Sequence, residues 1–152
     1  MATSERFTYD GLFKVAFDLE PSLYVYDAEQ NPLGVSTETS AAMSGQLTAP
    51  KILEYKYSLD GLIGDLDNQD KNLNDIELCI AWETGNLWTG RYGITSLLMP
   101  ENAEQRQFHG VTHVLTDAES GAKACHLIIL RELIDYLNDP NETAIAQRQK
   151  YE

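Results

Sequence analysis

The sequence predicts an α/β domain in which a mixed central β-sheet is flanked by helices. Three consecutive segments support this. Residues 51–57 alternate as a β-strand, apolar residues recur at helical spacing over 59–69, and residues 76–82 form a nearly continuous apolar run of strand length. A strand, helix and strand in this order normally link two parallel neighbours in one sheet. We therefore expect residues 76–82 to lie parallel to residues 51–57.

The other elements follow from shorter patterns. Ser58 is placed to cap the helix over 59–69, and Pro140 ends a last helix. Alternating or apolar runs predict five further strands: 7–18, 22–26, 91–98, 111–116 and 124–130. Between these elements we expect a turn or loop over 27–34, a loop or short edge strand over 35–50, a polar loop over 101–107 and a helix over 131–137.

The length of 152 residues is that of one domain. We place this domain at residues 1–140, followed by a polar, frayed tail over 141–152. Cys79 and Cys125 lie in apolar runs, which is typical of reduced core thiols in a cytoplasmic protein. No apolar run approaches the roughly 20 residues that span a bilayer, so we expect a cytoplasmic protein without a membrane partner.

The chain is strongly acidic. Its 24 Asp and Glu residues against 11 Lys and Arg residues give a net charge of −13, and the basic residues form no run. Binding of nucleic acid depends on cationic side chains that neutralise phosphates. If nucleic acid is the substrate, a partner subunit or another domain must hold it, so we expect a larger or homo-oligomeric assembly.

The strand over 51–57 carries the main candidate site. Its alternation sends Glu54 and Lys56 to one face, and Leu53, Tyr55 and Tyr57 to the other. A carboxylate and an ammonium group inside a small domain are costly to bury unless they pair or meet a ligand. Hydrolysis of a phosphodiester needs a divalent metal held by oxygen ligands and a positive group near the developing charge. Glu54 and Lys56 supply one of each, and a second acid has to come from elsewhere.

The triplet Glu54-Tyr55-Lys56, followed by a helix and a parallel strand, resembles the PD-(D/E)xK nucleases of restriction-endonuclease-like fold. Asp10, at the head of the first strand, resembles the leading aspartate of that superfamily. The resemblance covers residues 7–82. It implies that Asp10 and Glu54 hold Mg²⁺ or Mn²⁺ with the Tyr55 carbonyl, and that Lys56 orients the water or stabilises the phosphate.

The spacing between Asp10 and Glu54 is wide for this superfamily, and Asp27 and Glu38 remain alternatives for the second acid. The order of the Asp10, Glu54 and 74–83 segments is also similar to nuclease-like domains appended to bacterial GHKL or MORC-like ATPases. That likeness implies a C-terminal nuclease domain within a defence or repair assembly.

Simpler interpretations stand beside the nuclease. Glu54 and Lys56 can form a structural ion pair, and the acidity favours a DNA mimic or a non-catalytic interaction module. His109, His113 and His126 lack the accompanying ligands of a zinc site. Trp82 and Trp88 are typical of packing residues. The four aspartates of the 59–70 region indicate a solvated helix face: Asp60, Asp65, Asp67 and Asp70.

Overall fold

The computed structural model describes residues 9–16 and 20–152, which form a six-stranded sheet with helices. The strands are β1 (Gly11–Phe13), β2 (Lys51–Ser58), β3 (Ile76–Glu83), β4 (Tyr92–Ser96), β5 (His113–Asp117) and β6 (Lys123–Ile129). Their order across the sheet is β1-β2-β3-β6-β5-β4. The middle strands β2, β3 and β6 are parallel, and the remaining pairs are antiparallel. The predicted α/β class with a mixed central sheet is confirmed, as is the parallel pairing of residues 76–82 with residues 51–57.

Four α-helices accompany the sheet: α1 (Thr37–Met43), α2 (Leu59–Asp67), α3 (Leu130–Asn138) and α4 (Pro140–Tyr151). The predicted cap of α2 is confirmed, because the Ser58 side chain accepts a hydrogen bond from the Asp60 amide. The α2 residues Leu59, Leu62 and Ile63 are fully buried. The helical spacing in the sequence therefore marks the face that packs on the sheet.

The core has two parts. The larger joins the apolar face of α2 to the strands, including Cys79, Leu115 and Leu127, and takes in Tyr151 of α4. The second contains Leu53, Leu78, Leu97, Val111 and Val114. Because neighbours within a strand alternate between faces, Leu78 and Cys79 of β3 contribute to different parts. The sheet is covered in its middle on both faces, as the apolar run of β3 predicts.

Two predictions in the first third of the chain are wrong. Residues 22–26 are not a strand, because Pro21–Tyr24 form a 3-10 helix and only Val25 makes an isolated bridge, to Val35. The 35–50 region holds a helix, α1, which Ser36 caps by accepting from the Thr39 amide. This segment has few large apolar residues, so hydrophobic periodicity does not indicate the helix. The capping residue, in contrast, can be recognised in the sequence.

The first predicted strand is shorter than expected. Within the described residues it is limited to β1, with an isolated bridge from Ala16 to Leu47. Positions 7–8 and 17–18 of the predicted 7–18 strand lie outside the described residues. The polar segment over 101–107 begins within a 3-10 helix, Pro100–Gln105, rather than being a simple loop.

The predicted frayed tail is wrong, because residues 140–151 form α4. Asp139 caps this helix by accepting from the Glu142 amide, and Pro140 occupies its first turn. Its buried residues are mostly polar: Thr143, Ala144 and Gln147. A stripe of this kind carries little hydrophobic signal, which is why the pattern indicated a tail. Among the helices of the described residues, none has both the length and the apolar character to cross a membrane.

Candidate active site

The pairing of β1 with β2 brings Asp10 against Glu54. Gly11 lies opposite Leu53 in the antiparallel register, so the preceding residue, Asp10, reaches the level of Glu54. The Asp10 amide donates to Glu54 Oε1 at 3.0 Å, and Asp10 Oδ2 accepts from the Tyr55 amide at 2.8 Å. Asp10 therefore continues the strand pairing through its side chain. Two residues separated by 44 positions are therefore neighbours, through the backbone amide of Asp10 and the carboxylate of Glu54.

Glu54 is fully buried, and its partner is a residue that sequence reasoning missed. Lys71 Nζ lies 2.5 Å from Glu54 Oε2, and the Lys71 side chain is 11% exposed. Lys71 belongs to the loop between α2 and the next 3-10 helix, Leu73–Asp75. Residues of such a loop follow no period, and Lys71 carried no signal beyond its charge.

Lys56 leaves β2 on the same face as Glu54 but contacts a different acid. Its Nζ lies 2.6 Å from Asp65 Oδ2, and Lys71 Nζ lies 3.4 Å from the same oxygen. Asp65 projects from α2, which packs across this face of β2. The interpretation of Asp65 as simple surface charge is therefore wrong, and Glu54 and Lys56 do not form an ion pair with each other.

The charges in this cluster shift the pKa of two members. The hydrogen bond from Lys56, aided by attraction to both lysines, lowers the pKa of the Asp65 carboxyl despite its partial burial. Burial acts to lower the pKa of the Lys71 ammonium. The hydrogen bond and charge of Glu54, together with Asp65, outweigh burial and raise that pKa. Both groups are held in their ionised forms at neutral pH.

A cleft of about 490 Å³ opens beside Lys71. Its lining includes Tyr9, Gln69, Asn72 and Tyr92. Gln69 has a φ of 61°, the left-handed conformation that ends α2, in a loop position that favours glycine. The Asp70 amide then returns a hydrogen bond to the Asp65 carbonyl. This turn carries Lys71 from the end of α2 back to Glu54, at the rim of the cleft.

The opposite face of β2 carries Leu53, Tyr55 and Tyr57, as the alternation predicts. Leu53 is buried, but Tyr55 is 55% exposed and Tyr57 is 73% exposed. The charged face is thus the more deeply buried one along this part of the strand. The reason is that α2 covers Glu54 and Lys56, while the two tyrosines face away from it. The Tyr55 amide still contributes to the site through its hydrogen bond to Asp10.

The alternative acids lie in structures of their own. Asp27 Oδ1 accepts from the amides of Glu29 and Gln30 and so closes a turn. Glu38 stands in the first turn of α1 and lines a separate cavity with Glu104. Asp10 is therefore the acid that the fold brings to Glu54.

The remaining aspartates of the 59–70 region are also more engaged than predicted. Asp60 Oδ1 accepts from the amides of Asn86 and Leu87, and so ties α2 to the loop after β3. Asp67 pairs with Arg91 through both carboxylate oxygens. Of the four, Asp67 and Asp70 match the expected solvated position, since both are exposed, Asp67 in a surface pair and Asp70 beside the cleft.

The donors of the cluster suit a hard divalent cation in chemical type. Carboxylate and carbonyl oxygens are what Mg²⁺ prefers, and one or two carboxylates with water suffice. Within residues 9–16 and 20–152, the side chains of His, Cys, Asp and Glu form no group of three that could enclose a metal ion. In the observed arrangement the positive charge between Glu54 and Asp65 is the ammonium group of Lys71.

A second buried polar cluster, also missed from the sequence, joins the C-terminal helices to the sheet. Gln147 Oε1 accepts from Ser96 Oγ at 2.5 Å and lies 2.7 Å from His113 Nε2, while Gln147 Nε2 donates to Glu132 Oε1 at 2.7 Å. Tyr151 Oη donates to Glu132 at 2.7 Å. Burial lowers the pKa of His113, which favours the neutral ring. These groups satisfy one another, as a structural network requires.

The three histidines have separate surroundings. His113 belongs to the Gln147 network, His109 Nε2 lies 2.7 Å from Asn31 Oδ1, and His126 Nε2 lies 3.0 Å from Lys123 Nζ. Trp88 packs against Tyr151 with ring centroids 5.8 Å apart, in line with a packing role.

The comparisons add no relative: no protein-family model matches this chain, and neither a curated protein nor a solved structure shows significant similarity to it.

Proposed function

We propose that this domain hydrolyses phosphodiester bonds in nucleic acid with a divalent metal, at the cluster formed by Asp10, Glu54 and Lys56. The supporting observation is the position of Asp10 beside Glu54: the Asp10 amide donates to Glu54 Oε1, and Lys56 projects from the same face of β2 as Glu54. The alternative, a structural ion pair between Glu54 and Lys56, would not require Asp10 at this position. The surrounding strand, helix and parallel strand agree with the resemblance to PD-(D/E)xK nucleases.

Each residue has a role in the proposed reaction. Asp10 and Glu54 offer carboxylate oxygens to the metal, and the Tyr55 carbonyl offers a third oxygen. The metal, when bound, polarises the phosphate and lowers the pKa of the attacking water. Lys56 places a positive charge beside the reacting phosphate, and Asp65 fixes the position of that charge through their 2.6 Å contact.

Substrate binding is proposed to depend on an assembly. A net charge of −13 opposes the approach of a polyanion, and cationic side chains supply most of the affinity in nucleic-acid complexes. We therefore assign the capture of DNA or RNA to a partner subunit, another domain or a second copy. The chain would act as the nuclease unit of a defence or repair assembly, like the nuclease-like domains appended to GHKL or MORC-like ATPases that it resembles.

The test is cleavage by the purified chain at high protein concentration and low salt. Single-stranded DNA, duplex DNA and RNA are each incubated with Mg²⁺, Mn²⁺ or EDTA. We expect metal-dependent cleavage that falls at least about 100-fold in Glu54→Gln and in Lys56→Met, the scale typical of lost electrostatic groups in active sites. Glu119→Gln, at an exposed turn, is the matched control. Thermal unfolding verifies that each variant is folded.

Two results would contradict the proposal. One is the absence of metal-dependent cleavage of all three substrates under these conditions, in which high protein concentration and low salt replace capture by a partner. The other is cleavage that Glu54→Gln leaves unchanged, because that activity would come from another site or from a contaminant.

A non-catalytic interaction module is the second candidate, and the exposed tyrosines of β2 favour it. Tyr55 and Tyr57 present two aromatic side chains on one strand face, and aromatic residues are enriched in protein interfaces. The net charge of −13 favours DNA mimicry as the form of this role. Displacement of labelled duplex DNA from a basic DNA-binding protein tests this role. It should persist in Glu54→Gln and weaken in a Tyr55→Ser, Tyr57→Ser double variant.

A further inference from the structure

The position of Lys71 suggests how the proposed metal site is controlled. We propose that Lys71 is a displaceable internal counter-ion: its ammonium group holds the place that a divalent cation takes on Glu54, and it must withdraw before the cation binds. This inference rests on the proposed function, since it concerns the same carboxylates. It assigns a role to a residue that lies outside the acid-any-lysine triplet.

The geometry of Glu54 leaves one oxygen for exchange. Oε1 accepts from the Asp10 amide, which β1 holds in place through its pairing with β2. Oε2 is contacted by Lys71 Nζ at 2.5 Å. A Mg²⁺ ion binds carboxylate oxygen at about 2.0–2.1 Å, so an ion that takes the lone pair used by Lys71 has to displace the ammonium group. The side chain of Lys71 can move without breaking the sheet, whereas the Asp10 amide cannot.

The charge of the cluster also favours exchange over simple loss. The three carboxylates of Asp10, Glu54 and Asp65 outnumber the ammonium groups of Lys56 and Lys71 by one. Withdrawal of Lys71 raises the excess negative charge to two, which a divalent cation neutralises. A fully buried Glu54 left without any cation would be strongly destabilised. Lys71 therefore keeps the domain stable without metal and competes with the metal for the same oxygen.

The surroundings give Lys71 a place to go. Lys71 lines the 490 Å³ cleft, as does the exposed residue Asp70. Lys71 lies on a loop rather than in a strand or helix, so a change of side-chain rotamer moves Nζ from Glu54 toward the cleft. Lys56, in contrast, is carried by β2 and remains on Asp65 during this exchange.

The first test measures Mn²⁺ binding by electron paramagnetic resonance at fixed pH. Lys71→Gln removes the charge and keeps a hydrogen-bond donor, and Lys123→Gln, at the edge of β6, is the matched control. We expect Lys71→Gln to bind Mn²⁺ at least about tenfold more tightly than the wild type and Lys123→Gln. Addition of Glu54→Gln should abolish this gain, since the gained affinity belongs to Glu54.

A second measurement uses the wild-type protein, in case Lys71→Gln does not fold. The rate of acylation of each lysine amine is followed by mass spectrometry with and without saturating Mg²⁺. We expect Mg²⁺ to accelerate labelling of Lys71 and to leave Lys123 unchanged. Equal labelling rates at Lys71 would overturn the inference.

The outcomes separate this inference from the proposed function. If the wild type and Lys71→Gln bind Mn²⁺ equally well, Lys71 is no competitor, while the metal site itself stands. If neither protein binds Mn²⁺, both proposals are overturned.

Discussion

Lys71 Nζ lies 2.5 Å from Glu54 Oε2, although the two residues are 17 positions apart and Glu54 has Lys56 as a near neighbour on its own strand. Residues two apart on a strand are separated by about 6.6 Å along its axis, and their side chains project side by side. Glu54 and Lys56 consequently reach different partners across the interface with α2. The triplet in the sequence is therefore two adjacent ion pairs in the structure, joined through Asp65.

This arrangement predicts unequal coupling energies for the two pairs. The Glu54–Lys71 pair has exposed fractions of 0% and 11%, against 27% and 21% for Asp65 and Lys56. Double-mutant cycles with urea unfolding in EDTA should give about 2–3 kcal/mol for Glu54→Gln with Lys71→Met. The cycle of Asp65→Asn with Lys56→Met should give less than about 1 kcal/mol. If the coupling energy of Asp65 with Lys56 exceeds that of Glu54 with Lys71, the relative burial of the two pairs in the structure is contradicted.

The sequence was sufficient to predict β2, α2 and β3, because each has a local signal. Strand alternation, the Ser58 cap and the apolar run of β3 all act within about ten residues. The meeting of Asp10 with Glu54 was reached only through a resemblance to known nucleases, since it depends on the register of β1 against β2. Lys71 could not be identified, because no periodic pattern governs a loop residue.

The missed helices show a different limit. Both α1 and α4 have caps that are readable in the sequence, at Ser36 and Asp139. Neither has a stripe of large apolar residues, so hydrophobic periodicity does not reveal them. In α4 the buried side is supplied by Thr143, Ala144 and Gln147, and tertiary hydrogen bonds replace apolar contacts.

Gln147 should therefore be essential for holding α4 on the sheet. Its amide contacts Ser96, His113 and Glu132, so Gln147→Ala leaves several buried polar groups without a partner. We expect the free energy of unfolding to fall by about 3 kcal/mol. Gln149→Ala, at an exposed position two residues further along α4, should change it by less than about 0.5 kcal/mol. If the free energy of unfolding falls equally in the two variants, the hydrogen bonds of Gln147 do not hold α4 on the sheet.

Arg106 provides a second test of buried polar contacts. The side chain is fully buried and donates to the carbonyls of Val111, Gly34, Leu97 and Pro32. Burial lowers its pKa to about 10. A lysine has its donors on one nitrogen and cannot span these carbonyls, so Arg106→Lys should cost about 3 kcal/mol or more in urea unfolding.

The control for Arg106 is Arg148, which forms an exposed two-point pair with Glu101. Arg148→Lys should cost less than about 1 kcal/mol. If Arg106→Lys is equally mild, the four carbonyls do not depend on the planar geometry of the guanidinium group.

His126 should make the stability of the fold sensitive to mild acid. Its ring is 1% exposed, and its Nδ1 has no hydrogen-bond partner among the described residues. Burial, reinforced by the charges of Lys123 and Lys51 and opposed by Glu77, lowers its pKa to about 4. In the unfolded chain the ring titrates near its ordinary pKa of about 6.5. Between these two values the unfolded state binds more protons than the folded state, so stability falls as the pH decreases.

The expected loss from His126 is about 2 kcal/mol between pH 7 and pH 5. His126→Leu removes the titrating ring and the unpaired Nδ1 but keeps an apolar group in the core. Urea unfolding at the two pH values should show a smaller pH dependence in this variant, although His113 retains its own contribution in the same direction. If His126→Leu and the wild type lose the same stability at pH 5, His126 is not held neutral in the folded state.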